Sequence, residues 1–168
     1  MTHETSVGIG LTLRAPTLAE CQQVLVWRDH PSVLGNLRTG SKTETEQTRF
    51  YEDVVVPADE HVYRALHDGE MFIGLGGLTY LHRWPDEGEL SLLIGPEFQG
   101  LGYGRLAVDA LLTYAFETLG LEAVVGESYR DTPGCRFWAD LAAQRGWFTC
   151  LFGRSLFFRI LPLRHLEG

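Results

Sequence analysis

The sequence predicts a single mixed α/β domain, spanning residues 1–168, with a largely antiparallel sheet. Strand-like and helix-like segments follow one another in the order β-α-α-β-β-β-α-β-α-β-β, so several neighbouring strands have no crossover helix between them. Two strand pairs are joined only by turns, at Asp68 with Gly69 and at Gly153. Apolar residues make up 45 % of the 168 residues, which is enough for one ordinary core.

The N-terminal elements are a strand and a helix. Residues 9–15 alternate apolar and polar side chains, which is the pattern of a half-buried strand. Pro16 and Thr17 are start signals for a helix over residues 18–30. We expect Pro31 to end this helix, because proline does not continue a helix.

A short helix and three strands come next. The helix is expected over residues 44–51, after a polar loop. Runs of apolar and aromatic residues at 61–67 and 71–81 predict the two strands of a hairpin. The fourth predicted strand, residues 88–95, alternates its side chains between two faces.

The second half of the chain continues with a helix. Val108, Leu111, Ala115 and Leu119 follow helical spacing, and Gly120 stands where a helix ends.

A strand, a helix and a hairpin complete the fold. The fifth predicted strand covers residues 121–127. The tripeptide Asp-Thr-Pro that follows it offers a cap and a first-turn proline for a helix that runs to Gly146. Residues 147–161 then indicate two strands that turn at Gly153.

Composition and charge argue against several classes of protein. The formal net charge is −8 and nucleic-acid binding needs basic surface, so we expect no nucleic-acid partner. No apolar run reaches the roughly 18 residues of a membrane span, and the first residues lack the pattern of a signal peptide. Three irregularly spaced cysteines and six histidines form no disulfide framework and no metal-ligand pattern. We expect a cytoplasmic protein without a metal, whose acidic field suits cationic small molecules or basic peptides.

Residues 97–106, EFQGLGYGRL, place three glycines within five positions ahead of a helix. The first N–H groups of a helix have no partner within it and lie at the positive end of its dipole, so this stretch predicts an anion site. Gly100, Gly102 and Gly104 allow phosphate oxygens to approach, and Arg105 adds a positive charge. The P-loop needs a lysine that is absent here, and the dinucleotide fingerprint needs the spacing G-x-G-x-x-G.

The letters Q-G-L-G-Y-G at residues 99–104 match instead the Q/R-x-x-G-x-G/A signature of GNAT-family N-acetyltransferases. The longer stretch ELSLLIGPEFQGLGYG, the segment WRDHPSV and the later RGW resemble the branch that contains the RimJ/RimL-type ribosomal-protein acetyltransferases. The resemblance implies the GNAT fold, in which a mixed sheet of six to seven strands is flanked by about four helices. It also implies a V-shaped split between the fourth and fifth strands.

The same resemblance implies how acetyl-CoA, the cosubstrate, is bound. In GNAT enzymes the fourth strand carries a bulge, and its main chain pairs with the pantetheine arm. The matching residues here are Leu92, Leu93 and Ile94. The pyrophosphate is expected on the residues of the glycine-rich stretch: Gln99, Gly100, Leu101, Gly102, Tyr103, Gly104 and Arg105.

The implied reaction is direct attack of a primary amine on the thioester of acetyl-CoA. An ammonium must first lose a proton, and Glu89 matches the family's glutamate on the fourth strand, so it is the candidate general base. A contact with the ammonium without proton transfer is the alternative role. The family's N-x-x-S-x-x-x-Y pattern aligns with Asp131, Gly134 and Trp138, so its tyrosine is missing. An indole N–H is no acid at neutral pH, which leaves Tyr129 as the candidate general acid and packing as the role of Trp138.

The acceptor is expected to be the α-amino group of a protein or peptide, or a small cationic amine. Candidate acceptor contacts are Trp27, His82, Trp84 and Ser91, and specificity is expected to reside in residues 35–50. A non-catalytic acyl-CoA-binding or sensor module is the alternative function. The broken tyrosine pattern motivates it, and the retained Glu89 argues against it.

Two further expectations concern the C-terminal part. Eight residues separate Trp138 from Gly146 where the family usually has four, and the extra AAQR predicts about one added helical turn. The chain is expected to be a monomer or a homodimer, with LFFRILPL as an exposed edge strand.

Overall fold

The computed structural model describes residues 5–6, 10–37 and 40–163. Within them, eight strands form one sheet: β1 (Thr5–Ser6), β2 (Leu11–Arg14), β3 (Val62–Asp68), β4 (Met71–Thr79), β5 (Glu87–Ile94), β6 (Ala123–Tyr129), β7 (Phe148–Phe152) and β8 (Ser155–Ile160). The α-helices of the same residues are α1 (Leu18–Arg28), α2 (Pro31–Leu34), α3 (Glu44–Phe50), α4 (Tyr103–Thr113) and α5 (Pro133–Arg145). Turns of wider π-helical geometry continue α3 over Tyr51–Val55 and α4 over Tyr114–Thr118.

The sheet has the order β1-β2-β3-β4-β5-β6-β8-β7. Of its pairs among the described residues, β5 with β6 is parallel and the others are antiparallel. The seven predicted strands are β2 to β8, so the predicted fold class is confirmed. The two-residue β1 was not predicted, and the predicted fourth and fifth strands are therefore β5 and β6.

The last hairpin reverses one sequence-based expectation. The turn at Gly153 is present, with a φ of +57°. However, β8 lies between β6 and β7, so the prediction that LFFRILPL forms the exposed edge is wrong. The edge strand is β7, whose five residues are all exposed, including Phe152 at 77 %.

The first helices are set by their N-terminal residues. Thr17 and Glu20 form a capping box that starts α1, and α3 begins in the same way. Pro31 opens α2 as its first residue, where a proline loses no hydrogen bond. The single helix predicted over residues 18–30 is therefore wrong at its end, because Pro31 starts a second helix rather than a loop.

Apolar residues pack on both faces of the sheet. The larger cluster covers the face that carries α4 and includes Leu78 and Leu111. The smaller cluster lies under α1 on the other face and includes Val24, Trp27 and Leu75. The strands between these clusters are therefore held from both sides, which fixes the position of β5 in the middle of the sheet.

The sheet splits between β5 and β6. The two strands pair only over residues 87–89 and 123–125 and then part. On its other side β5 pairs with β4 in unbroken register over residues 89–94, so the bulge expected in this strand is absent. A register shift lies instead between β3 and β4, at Leu66 and His67. The predicted V-shaped split is confirmed, and it opens a cleft.

Candidate active site

The cleft between the parting strands has a volume of about 430 Å³, a size typical of small-molecule sites. Residues of β5 and β6 form its walls, with residues of α1 and α3 on one side and of α5 on the other. The charged and aromatic side chains that line it include Arg28, Lys42, Tyr63, Glu89, Glu127, Tyr129 and Trp138.

The main chain of β5 presents hydrogen-bonding groups to this cleft. Successive residues of a strand direct their N–H and C=O groups to opposite neighbours. The Gly95 N–H donates to the Ile73 carbonyl of β4 at 2.9 Å, so Leu93, two residues earlier, also turns its main chain to β4. Leu92 consequently turns its main chain to the cleft, and Ile94 turns its main chain to the same side of β5, beyond the lining residues. Of the three residues predicted to hold the pantetheine arm, Leu93 is the one whose main chain faces away.

The glycine-rich loop connects the far end of β5 to α4. Gln99 Nε2 donates to the Ile94 carbonyl at 3.0 Å and ties the loop to the strand. Gly100 and Gly102 have φ of +74° and +89°, and a Cβ at either position would meet no atom within 4 Å. Their conformation favours glycine, and the space in front of them is open. The first N–H groups of α4 lie beside this space, as the predicted anion site requires.

Gly104 and Tyr103 serve the packing of the loop. A Cβ at Gly104 would lie 3.2 Å from the ring of Phe137, so this glycine lets α5 approach α4 closely. The Tyr103 hydroxyl donates to Asp68 Oδ2 at 2.5 Å, and this hydrogen bond raises the pKa of Tyr103. Both residues therefore position the start of α4, a role that the sequence pattern did not reveal.

Arg105 is engaged by the residues that lengthen α5. Its Nη1 donates to Gln144 Oε1 at 2.7 Å. The next residue, Arg145, forms an ion pair with Asp109 of α4. The extra turn predicted from AAQR thus fastens α5 to α4, and it holds the guanidinium that was expected to bind pyrophosphate.

Two carboxylates border the point where β5 and β6 part. Glu89 is in the last residue pair between the strands, opposite Val125, and its side chain lines the cleft. Glu127 follows two residues later on β6, hence on the same face, and also lines the cleft. Its Oε1 accepts a hydrogen bond from the Ser155 hydroxyl at 2.6 Å. The sequence reasoning missed Glu127, although the alternation of β6 places it on the same side as Tyr129.

Aromatic side chains complete the walls. Tyr129 lines the cleft together with Glu89, so the two candidate catalytic residues share one site. Burial raises the pKa of Tyr63 to about 12, so its hydroxyl keeps its proton at neutral pH. Trp138, which aligns with the family's tyrosine, stacks on Phe158 with ring centroids 5.0 Å apart. This stack agrees with the packing role expected for Trp138.

Two cations line the side of the cleft near α1 and α3. Arg28 lies in the last turn of α1, and Lys42 precedes α3. Burial is the main cause that lowers the pKa of both groups, and the charge of Arg28 lowers that of Lys42 further. The Nζ atom of Lys42 lies 4.8 Å from the ring centroid of Phe50. The sequence singled out neither residue, since they meet only through the packing of α1 on α3.

The predicted acceptor contacts lie in different places. Ser91 lines the cleft. Trp27 is buried, with 5 % exposure, and stacks on Phe72 at 5.2 Å, so its surroundings are those of a core residue. His82 and Trp84 are on an exposed loop, where Trp84 borders a smaller hollow of about 50 Å³. Of these four residues, Ser91 is the one that lines the cleft, so it stays a candidate acceptor contact.

Comparison with known proteins identifies the family. The family model described as an acetyltransferase (GNAT) domain matches residues 10–134, which is more than half of the chain. The chain belongs to the GNAT acetyltransferase family. The acetyltransferase class predicted from the glycine-rich stretch is thereby confirmed.

Solved structures of other GNAT acetyltransferases have the same fold. A spermidine N-acetyltransferase from Vibrio cholerae, in complex with CoA and spermine, has a TM-score of 0.78 at 18 % identity, covering 92 % of this chain and 96 % of that one. A dodecameric structure of the enzyme from Vibrio cholerae gives 0.73 at 18 % identity, with coverage of 95 % and 98 %. A probable acetyltransferase gives 0.71 at 17 % identity, with coverage of 94 % and 96 %. Among proteins with curated functions, none matches this GNAT sequence.

The comparisons leave the finer predictions open for this GNAT protein. The RimJ/RimL-like branch, the acceptor and the monomeric or homodimeric state stay predictions. None of the helices in residues 10–37 and 40–163 has the length and apolar character needed to cross a membrane. In that same part of the chain, no three His, Cys, Asp or Glu side chains are grouped as a metal site.

Proposed function

We propose that this protein transfers the acetyl group of acetyl-CoA to a primary amine. The observation that carries the proposal is the cleft at the split of the sheet. Its lining includes Glu89 and the β5 residues up to Leu93, and the chain continues from β5 into the open glycine-rich loop. Five residues separate Glu89 from Ile94, which is about 17 Å of extended strand along which the pantetheine arm would lie.

The residues of the loop and of β5 suit acetyl-CoA. The Leu92 N–H and C=O groups are available as partners for the amide groups of the pantetheine arm. The first N–H groups of α4, beside Gly100 and Gly102, suit the pyrophosphate. Because Arg105 is held by Gln144, we assign the anion binding to the main chain rather than to this side chain.

The carboxylate at the split suits the chemistry of amine acetylation. Glu89 accepts a proton from the bound ammonium, so that the amine nitrogen has a lone pair. The nitrogen then bonds to the thioester carbonyl carbon, the carbon–sulfur bond breaks and the thiolate leaves, and the nitrogen releases its second proton to solvent to give the neutral amide. Tyr129 is the candidate donor of a proton to the thiolate. A module that only binds acyl-CoA has no need of a carboxylate at this position.

We further assign the protein to the RimJ/RimL-like branch. Trp27 belongs to the segment WRDHPSV and packs on the segment ELSLLIGPEFQGLGYG. Its ring is edge-on to Phe98, with ring centroids 6.2 Å apart, and a Cβ at Gly95 would lie 2.7 Å from the Trp27 ring. The two resembling segments thus form one structural unit beside the loop. The acceptor on this assignment is a protein or peptide α-amine or a small amine, since the similar enzyme from Vibrio cholerae acts on spermidine.

Calorimetric titration of acetyl-CoA, followed by a thiol-release assay with a panel of amines, tests this function. We expect binding, and thiol release that depends on an amine. Glu89→Gln should lower kcat by at least about tenfold with the Kd of acetyl-CoA unchanged, whereas the exposed Glu122→Gln serves as the matched control. Binding without release from any amine would support the acyl-CoA-binding module instead, and absence of binding would refute both functions.

A further inference from the structure

We propose that the acceptor is a small amino acid, whose amine lies at Glu89 and whose carboxylate is held between Arg28 and Lys42. This inference rests on the proposed function, because it fills the acceptor side of the same cleft. It narrows the acceptor to a molecule that carries an anionic group as well as an amine.

The two cations form one half of the proposed subsite. Arg28 and Lys42 both line the cleft that contains Glu89. Both side chains are partly buried, so the charged form of each loses part of its hydration. The two positive charges also repel each other. A carboxylate placed between them relieves this repulsion and replaces the lost solvent. A guanidinium fork with a neighbouring ammonium is well suited to an acceptor carboxylate.

Asp29 and Glu46, whose charges act on Arg28 and Lys42 respectively, also make other contacts. Asp29 Oδ1 accepts a hydrogen bond from the Ser41 hydroxyl at 2.9 Å. Glu46 Oε2 accepts from the Thr43 N–H at 2.7 Å and from its hydroxyl at 2.9 Å, as part of the cap of α3. Among the residues that the structure describes, none of the ion pairs involves Lys42. A ligand carboxylate would therefore add an ion pair that the described residues do not give to Lys42.

The local charges also argue against a polyamine. The net charge of −8 favours cationic ligands in the surrounding solution. Exposed charges are screened beyond about 8 Å at physiological salt, while partly buried charges are screened much less. Inside the cleft, a second ammonium on the α1 and α3 side would meet Arg28 and Lys42. The lining of the cleft therefore combines one carboxylate, Glu89, with two cations, and this combination suits a zwitterion.

The size of the site favours a small acceptor. The cleft of about 430 Å³ must also hold the acetyl end of the cosubstrate. Asn36, after α2, accepts a hydrogen bond from the Gly134 N–H of α5 at 2.7 Å, and both residues line the cleft. This contact ties the two sides together and limits the space between them.

The test compares thiol release by free amino acids, by the corresponding amino-acid amides and by spermidine. We expect one or more amino acids to react with a kcat/KM at least about tenfold above that of the matching amide. Release with amides or spermidine but with no amino acid would overturn this inference and leave the proposed function intact. Absence of release from every amine would contradict both.

Single substitutions test whether Arg28 and Lys42 cause the preference for amino acids over their amides. Arg28→Gln and Lys42→Gln should each lower the ratio of acid to amide kcat/KM by about tenfold or more, mainly through KM. Arg136→Gln is the control, because this α5 side chain is 91 % exposed and pairs with Asp140. An unchanged ratio in both cleft variants would refute the assignment.

A second measurement needs no variant. Lys42 is the only lysine in the sequence, so an amine-selective acylating reagent has one side-chain target. The N-acetyl derivative of the preferred amino acid has no amine that consumes the reagent, so it should slow the modification of Lys42, as followed by peptide mapping, and its amide should protect less. Equal protection by the acid and the amide would speak against a carboxylate at this position.

Discussion

The glycine-rich loop allows a test that separates backbone strain from ligand binding. Gly102 and Gly120 both have positive φ, +89° and +68°, and a Cβ at either would meet no atom within 4 Å. Gly102 precedes α4 in the loop, whereas Gly120 follows the helical extension at the other end of α4. Gly102→Ala and Gly120→Ala therefore impose a similar backbone penalty, and only the first places a methyl group where phosphate is proposed to bind.

The expected cost to folding follows from the backbone. A left-handed conformation costs an alanine about 1–2 kcal/mol. Alanine recovers about 0.4–1 kcal/mol because its unfolded chain has less entropy to lose. Each variant should thus lose on the order of 1 kcal/mol, which for a domain of this size lowers Tm by roughly 2–4 °C. The two variants should be alike in thermal unfolding without ligand.

Binding should distinguish the variants. A hydrogen bond between an N–H group and a charged phosphate contributes about 1.5–3 kcal/mol. Loss of one such bond raises Kd by roughly 10- to 150-fold. Calorimetric titration of acetyl-CoA should show this rise for Gly102→Ala and a wild-type Kd for Gly120→Ala. If Gly102→Ala binds acetyl-CoA as the wild type does while its Tm falls, the assignment of the loop to phosphate is refuted.

Three further predictions concern packing and titration. Gly104→Ala should cost about 1–3 kcal/mol in chemical denaturation, because its Cβ would lie 3.2 Å from Phe137, and Phe137→Leu should reduce that cost in a double-mutant cycle. In the native protein a thiol reagent should label exposed Cys150 and leave buried Cys21 unmodified until denaturant is added. Burial raises the pKa of Cys21 to about 11 and of Tyr63 to about 12 in the folded protein. The unfolded chain therefore loses these two protons at a lower pH than the folded chain does. The free energy of unfolding should fall as the pH rises from the unfolded value of 9.0 through these values, and Cys21→Ala should lessen the decline.

The fold was predictable where the pattern is local. The alternation of β5 and the glycines that end helices depend on neighbouring residues, and the structure contains each of these elements. Pro31 misled the prediction, because proline suits both the position after a helix and the first turn of the next one. The order of the last two strands depends on contacts between β6 and β8, far apart in sequence, which no local pattern records.

In the candidate site, too, residues that belong to a local pattern were predicted and residues that long-range contacts bring together were not. The loop glycines and Glu89 lie within 16 residues of one another, so a single motif predicted them. Arg28, Lys42 and Glu127 come from three separate parts of the chain, and only the folded protein brings them to one cleft. The sequence shows the charge of each of these side chains, but it does not predict that they lie close together.

The three glycines of the loop have two different physical functions. One of them connects the loop that is proposed to bind the cosubstrate to α5, which forms one wall of the cleft. Gly100 and Gly102 open space in front of the loop, while Gly104 lets Phe137 of α5 pack on the start of α4. The ring of Phe137 lies edge-on to Trp138 at 4.9 Å, and Trp138 in turn lines the cleft. If phosphate binds at the loop as proposed, a shift of the loop would move α5 and, through Phe137, the part of the cleft wall that Trp138 forms. The extra turn of α5, fastened to α4 by its side chains, stiffens this connection.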